Sequence, residues 1–310
     1  MIDSTLARDE QFNPSLIQTW IRRLIWKLAL ATLLLMAVGS ATRVMNAGLA
    51  CPDWPLCYGQ WLPTQQMNLQ VFLEWFHRFD AALIGVSTLL LVGLSFWFRT
   101  ILPRWLPWAT VGALGLILVQ GLLGGLTVTQ LLRFDIVTAH LATALLFLAS
   151  LLVMASLLMP YTSYHTAGPL RWSSGLASLC LYGQCLLGGL VGSRWAAHQC
   201  LAVAGTPLCR ILNSHLLGVI PASLGVVITM VWALRTPALN PRLRQLAWMA
   251  LGLLGLQILV GTATLRLHLQ IELLTITHHS IGASLFGILV VFTILTIRDV
   301  IPGVSTPAQR

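Results

Sequence analysis

Eight histidines occur in the chain, and five of them, His77, His140, His215, His278 and His279, stand near the start of long apolar stretches. Neutral imidazole is a ligand for iron, copper and zinc, and an ionisable group within apolar sequence of membrane-spanning length is a candidate functional residue by default. Around His77 the sequence reads EWFHRFD, which gathers Glu74, His77, Arg78 and Asp80 in a chain with only 9% charged residues. Glu74 lies three residues before His77, so on a helix the two share a face. A carboxylate there can accept or donate a proton or orient the imidazole. It also fits a helix N-terminus, where the dipole favours negative charge. The positions three before His140, His215 and His278 hold Val137, Leu212 and Thr275, none of which ionises. Arg78 and Asp80 can pair with one another or with lipid headgroups.

The elements that must position these groups follow from composition. The 310 residues are 57% hydrophobic with a single lysine, Lys27, and mean hydropathy is +0.82; soluble domains carry about 25% charged residues. A helix needs about 20 mostly apolar residues to cross a bilayer, and the chain supplies such runs near 24–45, 78–98, 106–129, 136–158, 172–193, 212–234, 246–266 and 273–297. The first 23 residues lack the short apolar core and cleavage site of a signal peptide. With the N-terminus inside, the tails and inner connections hold twelve Lys and Arg residues and the outer loops hold six, as the positive-inside rule expects. The formal charge of +9 thus reflects topology and attraction to anionic lipid, and no nucleic-acid partner is needed to explain it.

The two halves of the chain resemble each other. Gln120, Gly124 and Thr127 in the third run recur at the same spacing as Gln257, Gly261 and Thr264 in the seventh, which suggests a duplicated unit of four helices. The expected fold is an all-α membrane protein, with eight transmembrane helices as two pseudo-symmetric four-helix bundles. Its expected parts are a cytoplasmic tail at 1–23, a bundle at 24–159, a cytoplasmic linker at 160–171 broken by Pro160, Gly168 and Pro169, a second bundle at 172–298, and a tail at 299–310. His77, His140, His215 and the His278/His279 pair then fall within the first two turns of helices 2, 4, 6 and 8, at matched depth near one surface. A single such histidine is readily an interfacial polar residue. Four at matched positions in alternate helices, with no thiolate or carboxylate cluster beside them, suggest instead a planar iron macrocycle gripped from both sides in each half: heme, with His77 and His140 on one and His215 and His278 on the other. Superposing Gln257 on Gln120 favours His278, with His279 the alternative.

Arg43 and Arg194 are candidates for heme propionates, since guanidinium grips carboxylates bidentately, and equally for interfacial snorkelling. Gly121 with Gly125, and Gly188 with Gly192, have the spacing that lets membrane helices approach closely. Cys51 with Cys57 and Cys200 with Cys209 lie in matching outer loops, in a compartment where disulfides persist; they read as staples, with redox exchange at Cys51 and Cys57 a sharper alternative. Cys180 and Cys185 read as packing residues, and His165, His198 and His268 as surface loop residues.

The loop RVMNAGLACPDWPLCYGQWLP, the EWFHR that follows it, the TAH of helix 4 and the histidines of helices 6 and 8 resemble the heme A synthase family of bacterial and mitochondrial membranes, over about residues 24–298. The resemblance implies an oxidoreductase that converts a methyl group of heme O to a formyl group, giving heme A for terminal oxidases, through successive oxygen-dependent hydroxylations and loss of water. It places the substrate heme iron on His77 and His140, the catalytic glutamate at Glu74, and a heme B cofactor on His215 and His278 or His279. Cys51 and Cys57, with Cys200 and Cys209, match its cysteine pairs. It further implies molecular oxygen as co-substrate, heme O and heme A as partners, a heme O synthase and an electron donor the sequence does not identify. A homo-oligomer is left open. The expected location is the bacterial plasma membrane, with both termini cytoplasmic and the heme sites near the outer face.

Overall fold

The computed structural model describes residues 13–192 and 207–300. Among them are eight helices long and apolar enough to cross a membrane: α1 (Pro14–Val44), α2 (Leu69–Trp97), α3 (Leu106–Thr129), α4 (Phe134–Leu158), α5 (Leu170–Val191), α6 (Pro207–Arg235), α7 (Pro241–Arg266) and α8 (Glu272–Val300). The protein is an integral multi-pass membrane protein. No strand is present among the described residues.

Several helices outrun the apolar stretches that announce them. α1 starts at Pro14, where the Asn13 side chain accepts the Ser15 N–H and proline occupies the first turn. α2 starts at Leu69, with Asn68 accepting from Val71 N–H, and α7 at Pro241, with Asn240 accepting from Arg242 N–H. An asparagine cap satisfies a backbone donor that would otherwise be orphaned, so the helix begins at the cap while the apolar run begins only at the hydrocarbon boundary. His77 and His215 therefore occupy the ninth helical position, in the third turn, instead of the first two. At the far end α8 continues through Asp299, so the expected boundary at 298/299 falls inside a helix.

Neighbouring helices pack in chain order, and the first and last of each set of four also touch. α1 meets α2, α2 meets α3, α3 meets α4 and α4 returns to α1; α5, α6, α7 and α8 repeat the pattern. The sets meet through α1 with α8, α4 with α8, and α4 with α5. α4 and α8 consequently carry much of the core, with Leu145, Phe147, Leu151, Leu285, Leu289 and Phe292 almost wholly buried. From Ile281 to Thr296 the buried residues of α8 fall on every side of the helix, as its central place requires, because a helix apolar all round is one that is covered all round.

The connector between the sets is tied down at the end of α8. Asp299 is fully buried, and its carboxylate accepts from Tyr161 O–H (3.1 Å) and from the backbone N–H groups of Tyr164, Thr166 and Ala167 (2.8, 2.8 and 3.0 Å). Burial and the neighbouring Asp299 hold the Tyr161 phenol well above its ordinary range. Arg298 donates to the carbonyls of Ser156 and Met159 at the end of α4 (2.6 and 2.7 Å) and lies over the Tyr161 ring.

Candidate functional site

The four aligned histidines share one local geometry, and glycine creates it. A Cβ added at Gly39 of α1 would lie 2.8 Å from Cε1 of His77, at Gly124 of α3 3.4 Å from Cε1 of His140, at Gly188 of α5 3.1 Å from Cε1 of His215, and at Gly261 of α7 2.6 Å from Cε1 of His278. Each imidazole thus enters from an even helix and nests against a glycine of the odd helix before it. The residue four positions ahead of each glycine is Leu35, Gln120, Gln184 and Gln257, and its backbone carbonyl faces the same ring. A helical side chain covers the turn N-terminal to its own Cα, so its absence at the glycine uncovers the carbonyl one turn back. Nδ1 of His77, His140 and His278 is buried and closes no hydrogen bond.

Within the second set the rings converge: His215 and His278 lie 6.5 Å apart, centroid to centroid, with planes at 85°. His279 occupies another niche. Its Nδ1 is 2.9 Å from Ser40 Oγ on α1, and Gly192 makes room for its ring. Gln184 Nε2 donates to the His215 backbone carbonyl at 2.8 Å and lies 3.0 Å from His215 Nδ1; Gln257 Nε2 lies 3.3 Å from His278 Nε2.

All five histidines line one cavity of about 1340 Å³. Small-ligand pockets run to about 300–1,000 Å³, so this space suits more than one large ligand. The loop between α1 and α2 lies at its mouth, with Trp54, Pro55, Leu56, Cys57 and Trp61 on the lining. A disulfide joins Cys51 to Cys57, and the Trp54 ring rests on Gly125 of α3, 3.2 Å from where a Cβ would be.

Glu74 is buried and fixed to this loop. Its Oε2 accepts the Cys51 N–H at 2.8 Å and its Oε1 accepts from Arg78 at 2.6 Å. Arg78 also donates to the carbonyls of Asp53 and Leu56, both at 2.6 Å. The arginine therefore pairs with Glu74 and the loop in place of Asp80 or headgroups. Glu74 and His77 line the same cavity, but the carboxylate is committed to Arg78 and Cys51.

The glycine pairs expected to bring helices together do other work. Gly188 and Gly192 accommodate imidazoles, Gly125 accommodates an indole, and a Cβ at Gly121 would meet nothing within 4 Å. Arg43 lines the cavity, half-buried, with no carboxylate paired to it among the described residues. Arg194, His198 and Cys200 lie outside the described residues, while Cys209 is disulfide-bonded. Cys180 and Cys185 are free thiols, and Cys185 reaches the cavity wall. His165 and His268 are away from the cavity. The repeated Gln-x-x-x-Gly of α3, α5 and α7 is the signal that could have revealed three of the four nests in advance; in α1 leucine replaces the glutamine and hides the fourth.

The family model described as COX15-CtaA, cytochrome oxidase assembly protein, matches residues 22–290. A heme A synthase of Shewanella oneidensis is 30% identical, over 94% of this chain and 99% of its own length, and one of Rhizobium etli is 28% identical over 78% and 81%. A protoheme IX farnesyltransferase of Halobacterium salinarum is 34% identical over 119 residues, 38% of this chain and 26% of that protein. The family match spans the histidine nests, the cavity and the disulfide loop alike, and the chain belongs to the COX15-CtaA, or heme A synthase, family.

Proposed function

We propose that the protein is a heme A synthase, an oxidoreductase that converts a methyl substituent of heme O to a formyl group with molecular oxygen, giving heme A for terminal oxidases. The observation that carries this reading is the repeated imidazole nest, four times over, opening on one cavity with a buried carboxylate beside only one nest. Near full-length similarity to proteins named heme A synthase supports it.

His77 and His140 take the iron of the substrate heme O, and His215 and His278 that of a resident heme B. His215 and His278, with ring centres 6.5 Å apart, would hold the iron of that heme between them. The buried, unsatisfied Nδ1 of His77, His140 and His278 fits the same role, since a ligand imidazole would place one ring nitrogen on iron and have the other fixed by a protein acceptor. His278 nests on Gly261, the counterpart of Gly124, and faces His215 at 6.5 Å, which favours it as the ligand, with His279, fixed through Nδ1 by Ser40, as the alternative. Heme B, when bound, supplies a one-electron route toward the substrate side. Arg43 reaches the cavity with no carboxylate partner among the described residues and contacts propionates; Arg194 is assigned the same role by its place in the duplication. The substrate half is assigned to 24–159 and the heme B half to 172–298, with the outermost helices of the two sets extending beyond these bounds to Pro14 and Val300.

Each of the two hydroxylations consumes one oxygen molecule and two electrons from an external donor, and the doubly hydroxylated carbon loses water to become the formyl group. Glu74 takes up or releases protons at the substrate side, and Arg78 with the Cys51 N–H hold its carboxylate in register. The arginine asymmetry of the sequence supports a bacterial plasma membrane location with cytoplasmic termini and the hemes toward the outer face. The similarity to part of a farnesyltransferase supports a heme O synthase as supplier of substrate.

The test is pigment extraction and mass spectrometry on membranes supplied with heme O. The parent protein is expected to yield hydroxylated and formylated products, and Glu74→Gln to keep both hemes while conversion stops. Heme O recovered unaltered from the parent would refute the synthase reading, and undiminished conversion by Glu74→Gln would remove that residue from the reaction.

A further inference from the structure

The two halves of the cavity differ in depth. Along α2 the lining continues from His77 to Leu89, twelve residues further; along α6 it continues from His215 only to Ser223, eight residues further. At about 1.5 Å per helical residue these are depths of about 18 and 12 Å. The opposing walls agree, since the lining of α3 reaches Leu114, ten residues before Gly124, and that of α7 reaches Leu254, seven before Gly261.

The extra depth is a slot between α2 and α3 that opens sideways. Val86, Leu89 and Leu118 all line it, yet are 67%, 58% and 66% exposed. Beyond Arg78 none of its α2 lining residues can ionise. The duplication shows what makes it wide. In the register that places His77 on His215 and Gly124 on Gly261, Ala81 corresponds to Val219, Gly85 to Ser223 and Gly121 to Ile258, and all six line the cavity. The first half has the smaller residue at each of these three positions, while Ile84 against Ala222 runs the other way. A Cβ at Gly85 or Gly121 would meet nothing within 4 Å, so these glycines leave space instead of packing a helix. At the head of the slot stand His77 and His140, each with a buried, unsatisfied Nδ1.

We infer that the α2–α3 slot is the binding site for the isoprenoid tail of the substrate heme, and that Gly85 and Gly121 set the selectivity of the first half for a tail-bearing heme. This rests on the reading of that half as the heme O site. A macrocycle clamped by His77 and His140 projects a long hydrocarbon substituent into an uncharged channel that leads to the lipid, so the tail enters and leaves sideways while the ring reaches its ligands. The second half, with isoleucine and valine at the matching positions, holds a heme without a tail.

The test exchanges residues between halves. Gly85→Ser with Gly121→Ile gives the first half the side chains its own repeat already tolerates, and the open space around both glycines lets the variant fold. Binding of heme O and of heme B to the first half is measured by absorbance titration under anaerobic conditions, with the second half already filled by heme B. The parent is expected to prefer heme O; the variant is expected to lose at least about tenfold in heme O affinity, the scale of a single methylene excluded from an apolar pocket, with heme B affinity unchanged. Equal weakening for both hemes, or unchanged preference, overturns the proposal. Ile258→Gly is the independent variant: the second half should gain affinity for heme O, and no gain counts against the slot. Because binding is read without turnover, tail preference in a protein that forms no formyl product would sink the synthase reading and leave the slot standing.

Discussion

Glu74 illustrates how a single acid can be both reactive and structural. Within a helix of apolar residues its carboxylate is buried but not isolated, because Arg78 one turn later and the Cys51 N–H take its two oxygens. Arg78 also accounts for three carbonyls of the disulfide loop, those of Cys51, Asp53 and Leu56, and a planar guanidinium serves four acceptors in a way an ammonium does not. Removing one partner of a buried pair costs about 3–5 kcal/mol. Arg78→Gln is therefore expected to lower the thermal unfolding temperature clearly and to expose the Cys51–Cys57 disulfide to mild reductant, measured by thiol labelling. Arg78→Lys is expected to restore only part of both. The exposed Arg133–Asp135 pair is the comparison, where solvent screens the charges and Arg133→Gln should leave the unfolding temperature nearly unchanged. The sequence showed that the acid, the imidazole and the arginine were neighbours; it did not show that the arginine faces a loop more than twenty residues away, since that contact exists only once α2 starts at Asn68 and the loop folds back.

At the scale of the helix, the imidazole nests turn glycine into a graded probe. Gly→Ala in a helix interior improves helix propensity by about 1 kcal/mol, so any loss must come from crowding the ring. The clearances of 2.6, 2.8, 3.1 and 3.4 Å at Gly261, Gly39, Gly188 and Gly124 give an order. Gly261→Ala is expected to lose most of its heme, Gly39→Ala nearly as much, Gly188→Ala a smaller share and Gly124→Ala almost none, read as heme absorbance per protein after purification. A flat response across the four would show that the glycines do not seat the ligands. The number and type of helices were legible because hydrocarbon thickness imposes a run length that few other folds require. Their true starts were not, because Asn13, Asn68 and Asn240 cap helices in stretches that hydropathy reads as loop. The alternate-helix placement of histidine was legible from spacing, whereas the glycine opposite each one belongs to a neighbouring helix and became visible only with packing.

The whole molecule holds its two helix sets together at both ends of α8. At one end His279 meets Ser40 of α1; about twenty residues and roughly 30 Å further along the helix, Arg298 and Asp299 grip α4 and the connector. Asp299 receives three backbone N–H groups and a phenol, which is what lets an irregular segment lie against the core with its donors satisfied. Neither the duplication nor the apolar pattern indicated this clamp, because a lone Asp after an arginine at the end of a span reads as a helix terminus facing water. Asp299→Ala leaves three N–H groups without their acceptor at about 1–3 kcal/mol each, enough to release the connector while the heme ligands, at the opposite end of their helices, keep their nests. Limited proteolysis is expected to cut the variant between Tyr161 and Ala167 under conditions that spare the parent, with both hemes still bound in the cut protein. Loss of heme together with cleavage would show that the clamp and the cavity are one cooperative unit, and resistance to cleavage would show that the helix contacts alone hold the connector in place.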